Sequence, residues 1–521
     1  MKSKKSFLPA IGGALLVIIL SGCGSPEATS KPALTKETPP ATSPTPESPT
    51  ATPIPSTSTP TPNPPTATPT PDLSGRPLIW FAPLPPLSVQ AGRPFIGAED
   101  YMDLFLPDAP WQETADRIHV LGLYGEWVHD ASWTQHASDE ELKQVIEFAN
   151  QKGLALAIEA SPLARPDNCG VGYESWGGFE IGLDLMERIH KLGGTVYFIS
   201  MDAPYYYSSV INDPGACQWP AKKVAGEVEA FIKKMKRVYP DVVIGDTEPM
   251  QAWLDAAIYQ EWMVTFREVS GYNMPFFHMD IDYSSPGWAE KVKALEDFAK
   301  QEGIEFGILY FGSWNDLSDE AWLANTGERV KLYELLMGGR PDHVLFQSWH
   351  DHPDFSLPDS DPYTYTGFVK RYLDDKSTLG FRREGPGANV AVGKMVRVSK
   401  SLPYEPGENA VDGNPDTLWG AGDFAPQWIE IDLGMPYSIA EIRLRLSQSP
   451  AGATEHRVYA KKAGKGEQFT LIFTFEGETH DLEQLVHTLP EPIEGIQYIQ
   501  LASIRSPSWI GFREIEVISA K

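Results

Sequence analysis

Three features of the sequence predict a two-part fold: eight apolar, strand-like runs between residues 77 and 351, amphipathic helical segments between those runs, and a closing stretch of short alternating strands. Continuous apolar strands joined by crossover helices form a parallel sheet covered on its outer face, and eight such units over about 300 residues close into a (β/α)8 barrel. Short strands of period two with turns between them form an antiparallel sandwich instead. The chain is therefore expected to be multidomain, with an α/β barrel of the TIM type at 76–380 and an all-β jelly-roll sandwich at 385–521.

The eight runs lie at 77–83, 117–127, 154–161, 195–204, 241–249, 275–284, 305–314 and 342–351. Helical punctuation separates them. Ser138 with Glu141 forms a capping-box signature before a periodic segment that stops at Gly153, and Ser285 with Pro286 opens another that stops at Gly303. An open doubly wound sheet is the competing fold, but no glycine-rich phosphate fingerprint follows the first strand.

Length and composition suit this plan. A chain of 521 residues exceeds one ordinary core, and 42% hydrophobic with 11% aromatic residues can build two. The balance of 43 basic and 70 acidic residues, a formal charge of -27, argues against nucleic acid as a partner and leaves glycans, cations and small ligands.

At the N-terminus Lys2, Lys4 and Lys5 precede an apolar run to Leu20 and then small residues, the layout of a secretory signal too short to span a bilayer comfortably. The following "LSGC" resembles the bacterial lipobox. That resemblance implies a signal peptide at 1–23, lipidation of Cys23 and a bacterial, extracytoplasmic, membrane-anchored lipoprotein. Residues 24–75 read as a disordered Pro/Thr/Ser-rich stalk: between 39 and 71 Ile54 is the one large aliphatic residue, too little apolar surface to offset ordering entropy.

Barrel sites form where strands end, and acids recur there: Glu126, Glu159, Asp202, Asp246 with Glu248, and Asp280 with Asp282. Residues two apart on a strand share a side, so Asp246 and Glu248 point together, as do His278, Asp280 and Asp282. Acids crowded into one mouth repel, which separates protonated from ionised roles. Aromatics crowd the same ends: Trp127, Tyr205, Tyr206, Tyr207, Trp253, Tyr283, Trp288, Trp314 and Trp349. Sugar rings lie on such faces while their hydroxyls seek carboxylates and imidazoles. Any one of these acids fits a salt bridge or helix cap equally well, and any one aromatic fits the core; the joint pattern carries the reading.

This segment resembles the barrel-type glycoside hydrolases over residues 77–375. The resemblance implies hydrolysis of an O-glycosidic bond by paired carboxyls with no cofactor for catalysis. The expected roles are Asp202 as nucleophile or base, Asp280 or Asp282 as acid, and Glu248 as the nearest substitute. Glu159 and His278 would bind hydroxyls, with Tyr206, Trp314 and Trp349 as sugar-binding aromatics. The chain departs from the large retaining clan, which carries Asn-Glu after strand four and Glu after strand seven, where "MDAP" and "YFGSWND" stand here. A non-catalytic glycan-binding or adhesion lipoprotein is the alternative.

In the C-terminal part, "ENAVDGNPDTLW" (408–419), "PQWIEIDLGMPYSIAEIRL" and "WIGFREIEV" resemble a discoidin-type domain, also called coagulation factor type C. The resemblance implies a galactose-binding-like jelly roll of the kind that serves as a carbohydrate-binding module, with a glycan partner. It also implies a structural calcium held by Asp412, Thr417 and Glu514; His456 and Trp509 are candidate glycan contacts, each of which also fits a scaffold role. With Cys23 lipidated, Cys169 and Cys217 remain, in the neighbouring loops after strands three and four, and an exported protein is expected to join them in a disulfide.

Overall fold

The computed structural model describes residues 71–86, 97–129, 136–170, 175–285, 287–349, 352–380, 382 and 385–521. The segment expected to be a signal peptide, Cys23 and nearly all of the expected stalk lie outside them, as do Pro286, His350 and Asp351. Among the described residues no helix is long and apolar enough to cross a membrane.

All eight expected runs become strands: β1 (Leu78–Ala82), β2 (Val120–Leu123), β3 (Ala155–Ala160), β4 (Val196–Asp202), β5 (Val243–Met250), β6 (Phe276–Ile281), β7 (Glu305–Tyr310) and β8 (His343–Gln347). They pair in parallel in sequence order, and β8 closes on β1, so the barrel is complete. Its interior is filled by large rings. Trp80 lies 4.9 Å from Phe198 and 5.0 Å from His278 between ring centroids. Glycines face those rings: a Cβ on Gly245 would lie 2.4 Å from the Phe276 ring, and one on Gly307 would lie 2.3 Å from His278. Large inward residues on some strands thus demand the smallest residue on their neighbours.

One of the two helices marked by caps in the sequence begins and ends as expected, whereas the helix expected to open at Ser285 and Pro286 runs Trp288–Gln301 with Gly287 at its N-cap. Ser138 Oγ accepts the Glu141 N–H at 3.2 Å while the Glu141 carboxylate accepts the Ser138 N–H at 2.8 Å, and the helix Asp139–Lys152 stops at Gly153 in the left-handed region at φ 66°.

The second part is antiparallel: β9 (Met395–Val398), β10 (Trp419–Gly420), β11 (Gln427–Leu446), β12 (Gly452–Lys462), β13 (Thr470–Thr479), β14 (Gln484–Arg505) and β15 (Gly511–Ser519). Their order is β10-β15-β11-β14-β12-β13, with β9 on β11, around a core that includes Trp419, Ile431, Leu444 and Ile515. The segments "QWIEIDLG" and "IAEIRLRLS", which read as separate short strands, belong to the single strand β11. Register shifts between Asp432 and Glu441 break its pairing, so its first part lies between β9 and β14 and its last part between β14 and β15.

Cys169 and Cys217 form the expected disulfide, with Cα atoms 5.1 Å apart.

Candidate functional site

Alternation along the strands assigns the inward side. Phe198 and Ser200 on β4 face in, because Phe198 packs on Trp80 and the Ser200 hydroxyl meets that of Thr247 from β5; Asp202 follows with the same parity. On β6, Phe276 and His278 face in and Asp280 continues them. Glu159 from β3 joins this mouth and accepts the side-chain amide of Gln347 from β8 at 2.5 Å. Asp202 pairs in register with Thr247, and Asp280 with Pro249, so β5 alone separates the two acid-bearing strands. The space bounded by Trp80, Gly122, Tyr124, Glu159, Ser200 and Gln347 is only about 20 Å³, room for about one water.

The turn after Asp202 is strained and heavily braced. Ala203 has φ 42° and Ser175 has φ 72°, both in the region that favours glycine. The Ser175 hydroxyl donates to the Asp202 carbonyl, and the Ala203 N–H donates to the Thr247 carbonyl at 2.8 Å. Glu248 completes the brace by accepting the N–H groups of Tyr205 and Tyr206 at 2.7 and 2.9 Å. Beside it, the disulfide joins the two rim loops, where the Gly170 N–H also donates to the Gly215 carbonyl at 2.9 Å.

The geometry corrects three expected positions. Asp246 and Glu248 do point together, but outward: Asp246 accepts the Trp262 indole N–H at 2.7 Å from the helix Ala256–Ser270. Burial pushes the Asp246 carboxyl up to about 7, and burial followed by the neighbouring Asp246 charge raises Glu248 well above the carboxylate range. Glu248 therefore holds a turn and does not line the mouth. His278 is sealed in the barrel core, bonded through Nε2 to His343 Nδ1 at 2.8 Å; His343 Nε2 meets Glu305 at 3.0 Å, and Glu305 pairs with Arg76. That chain leads to the face opposite the mouth, and burial keeps His278 neutral. His456 is buried as well, at 3% exposure, bonded to Ser503 Oγ at 2.9 Å and set edge-on against Phe512; burial lowers it to about 4.

Asp282 is committed to a turn, accepting the N–H and hydroxyl of Ser284 at 3.1 and 2.5 Å. Among the aromatics, Trp349 packs on Phe311 at 4.6 Å, Trp314 is 54% exposed, and Tyr206 lies 5.0 Å from Tyr207 and 6.4 Å from the exposed Trp253. Trp127 and Trp288 are core residues. The sequence reading passed over Tyr124, Thr247 and Gln347, which line the mouth; Gln347, two residues after the inward Leu345, carried the signal in its parity.

Asp319, His352 and Asp354 bring ligand-type atoms within 4.8 Å of one another. Asp319 accepts His352 Nδ1 at 2.8 Å and the N–H groups of Asp354 and Phe355 at 2.7 and 3.1 Å. The cluster is an ion pair that braces the loop after β8.

In the sandwich, Glu514 is 2% exposed and neither of its oxygens has a hydrogen bond of ordinary geometry. Burial, then the charges of Glu516 and Asp412, push its carboxyl well up. Asp412 stands beside it, accepting the Thr417 hydroxyl and the Asn414 N–H, each at 2.8 Å. Two carboxylates and a hydroxyl form an oxygen-only donor set that fits calcium, and Glu514, which has near it the Gly413 N–H and the charge of Arg382, is a buried carboxylate that a cation would satisfy. At the loop end, Trp509, 54% exposed, lines a cleft of about 390 Å³ together with Phe424, Glu405, Leu402 and Ser449.

No curated protein matches the chain. Solved structures similar to part of it include the family 32 carbohydrate-binding module of Clostridium perfringens NanJ in complex with galactose, at 20% identity over 24% of this chain and 93% of that one, with a TM-score of 0.21. Chitosan-binding module 2 from the chitosanase/glucanase of Paenibacillus sp. IK-5, in complex with chitotriose, is 24% identical over 25% of this chain and 98% of that one, with a TM-score of 0.22. A family 89 glycoside hydrolase from Clostridium perfringens is 21% identical over 26% of this chain and 15% of its own length, with a TM-score of 0.22. The sequence motifs, the antiparallel strands and a family match over residues 396–515 agree that the C-terminal part of this chain is an F5/8 type C domain.

Proposed function

We propose that this is a carbohydrate-active protein whose barrel hydrolyses an O-glycosidic bond of a glycan held by its F5/8 type C domain. The observation that carries the reading is the pair of inward acids, Asp202 ending β4 and Asp280 near the end of β6, on either side of β5. Only β5 stands between the two strands, so the carboxyls can sit on either side of one glycosidic bond and its attacking water; a carboxyl separation of about 5 Å would favour retention and about 6.5 to 9.5 Å inversion. Asp202 would activate that water and Asp280 would protonate the leaving oxygen. Asp282, occupied with its turn, is the weaker candidate for acid. Glu159 would bind a hydroxyl, and Trp314 and Trp349 would carry the sugar face; Tyr206, expected to share that role, is only 5% exposed and belongs to the core.

The test is release of reducing ends from a glycan panel by wild type, Asp202→Asn and Asp280→Asn. General acid or base loss is expected to cost about 10²- to 10⁴-fold. If both variants turn over normally, the assignment fails.

A second reading has its own support. The sandwich offers a cleft of about 390 Å³ lined by the exposed Trp509, as suits a glycan-binding lipoprotein whose barrel is a scaffold. Binding to a glycan array without cleavage of any member would favour it.

Calcium at Asp412, Thr417 and Glu514 would be structural. Anchoring through lipid on Cys23 rests on the sequence, and mass spectrometry of the mature N-terminus tests it.

A further inference from the structure

The segment that would hold calcium also holds the barrel. Asp412 lies close enough to Glu514 to act on its charge and accepts the Thr417 hydroxyl, but Asp416, between Asp412 and Thr417 in sequence, reaches the barrel instead. Its Oδ1 accepts the Ser313 hydroxyl at 2.6 Å and the Asn315 side-chain amide at 3.3 Å, and its Oδ2 accepts Arg329 at 3.4 Å. One residue past Asp412, the Gly413 carbonyl accepts Arg382 at 2.7 Å, and the same guanidinium nitrogen reaches Asn325 Oδ1 at 2.9 Å. Arg445 from β11 grips the same loop, donating to the Trp314 carbonyl and lying 3.4 Å from Asn315 Oδ1, while Arg443 donates to the Leu317 carbonyl at 3.0 Å.

The gripped loop, 311–317, follows directly on β7 at the end of the barrel where the mouth opens. It carries the exposed Trp314, and its first residue, Phe311, supports Trp349. Asp416 and Arg329 are nearly buried at this contact, with side-chain exposures of 16% and 11%, so its geometry is enforced by desolvation as well as by hydrogen bonds.

We propose that cation binding at Asp412, Thr417 and Glu514 is coupled through Asp416 to the order of the 311–317 loop, so that the sandwich sets the state of the barrel mouth. The proposal rests on the calcium reading given above. Its physical basis is a shared six-residue segment: with a cation present the acids on one side are drawn together and Asp416 is presented to the barrel on the other. Without it, the bonds that hold Asp412, Thr417 and Glu514 to one ion are gone, the segment relaxes, and the acceptor for Ser313, Asn315 and Arg329 moves. Coupling of this kind is reciprocal, so weakening the barrel contact must weaken cation binding by the same factor.

Hydrogen exchange of the full chain in calcium and in chelator, with calcium affinity measured separately by titration calorimetry, tests it. Chelation is expected to speed exchange of the 311–317 amides by about fivefold or more, the lower end of ordinary coupling. Asp416→Asn is expected to weaken calcium by a similar factor and make loop exchange indifferent to calcium; Ser313→Ala, made from the barrel side, should do the same to a lesser degree. Tight calcium binding with unchanged loop exchange overturns the coupling alone. Absence of calcium binding in the calorimeter overturns both the coupling and the metal site.

Discussion

Replacing both Cys169 and Cys217 with serine removes a covalent tie across 48 residues of chain. In the chain-entropy account a closed loop of that length restricts the unfolded chain by about 13.6 cal/mol/K, or about 4 kcal/mol at 25 °C. A barrel of about 300 residues unfolds with an entropy of about 0.6 kcal/mol/K, so the melting temperature should fall by about 6 °C. The remaining contact between the two loops, the Gly170 N–H to the Gly215 carbonyl, is a single hydrogen bond and offsets little of this. The assay is scanning calorimetry of the mature chain and the double variant, with the wild-type bridge established by non-reducing peptide mass mapping. A shift below about 1 °C with the bridge intact in the wild type would refute the reasoning, because the loops would then open locally without the rest of the barrel.

Calcium at about 100 times its dissociation constant should stabilise the full chain by about 2.7 kcal/mol, an effect that chelator or Glu514→Gln abolishes in thermal melts. Asp246 titrates at about 7 when folded and near 3.8 when exposed, a raised pKa, so its contribution is fully present below about pH 3.8 and is lost as pH rises through 7. Asp246→Asn should flatten that decline in denaturant midpoints measured from pH 4 to 8, and an unchanged slope would assign the decline to another group. Trp509→Ala should weaken glycan binding about tenfold with little change in stability. His456→Ala, buried against Phe512, should lower stability and leave affinity alone, the two being separated by calorimetry on each variant.

The barrel was legible because its signals are local. Strand runs, the Ser138 capping box and the Gly153 stop depend on residues within a few positions of one another, and strands that pair in sequence order put the loops of Cys169 and Cys217 side by side. Motif order likewise identified the C-terminal domain. Side-chain direction was not legible to the same degree. Parity says that Asp246 and Glu248 share a side, yet which side is inward depends on how the sheet closes, and closure turned both toward the helices. His278 has the parity of Asp280, but two residues of rise along β6 sink it into the core, where His343 from β8 meets it. The joining of two expected strands in β11, the burial of His456 and the double duty of the 412–417 segment arise from contacts between residues tens to hundreds of positions apart. Period and capping are properties of a neighbourhood in the chain, whereas depth, facing and shared contacts are properties of the closed surface that the chain builds.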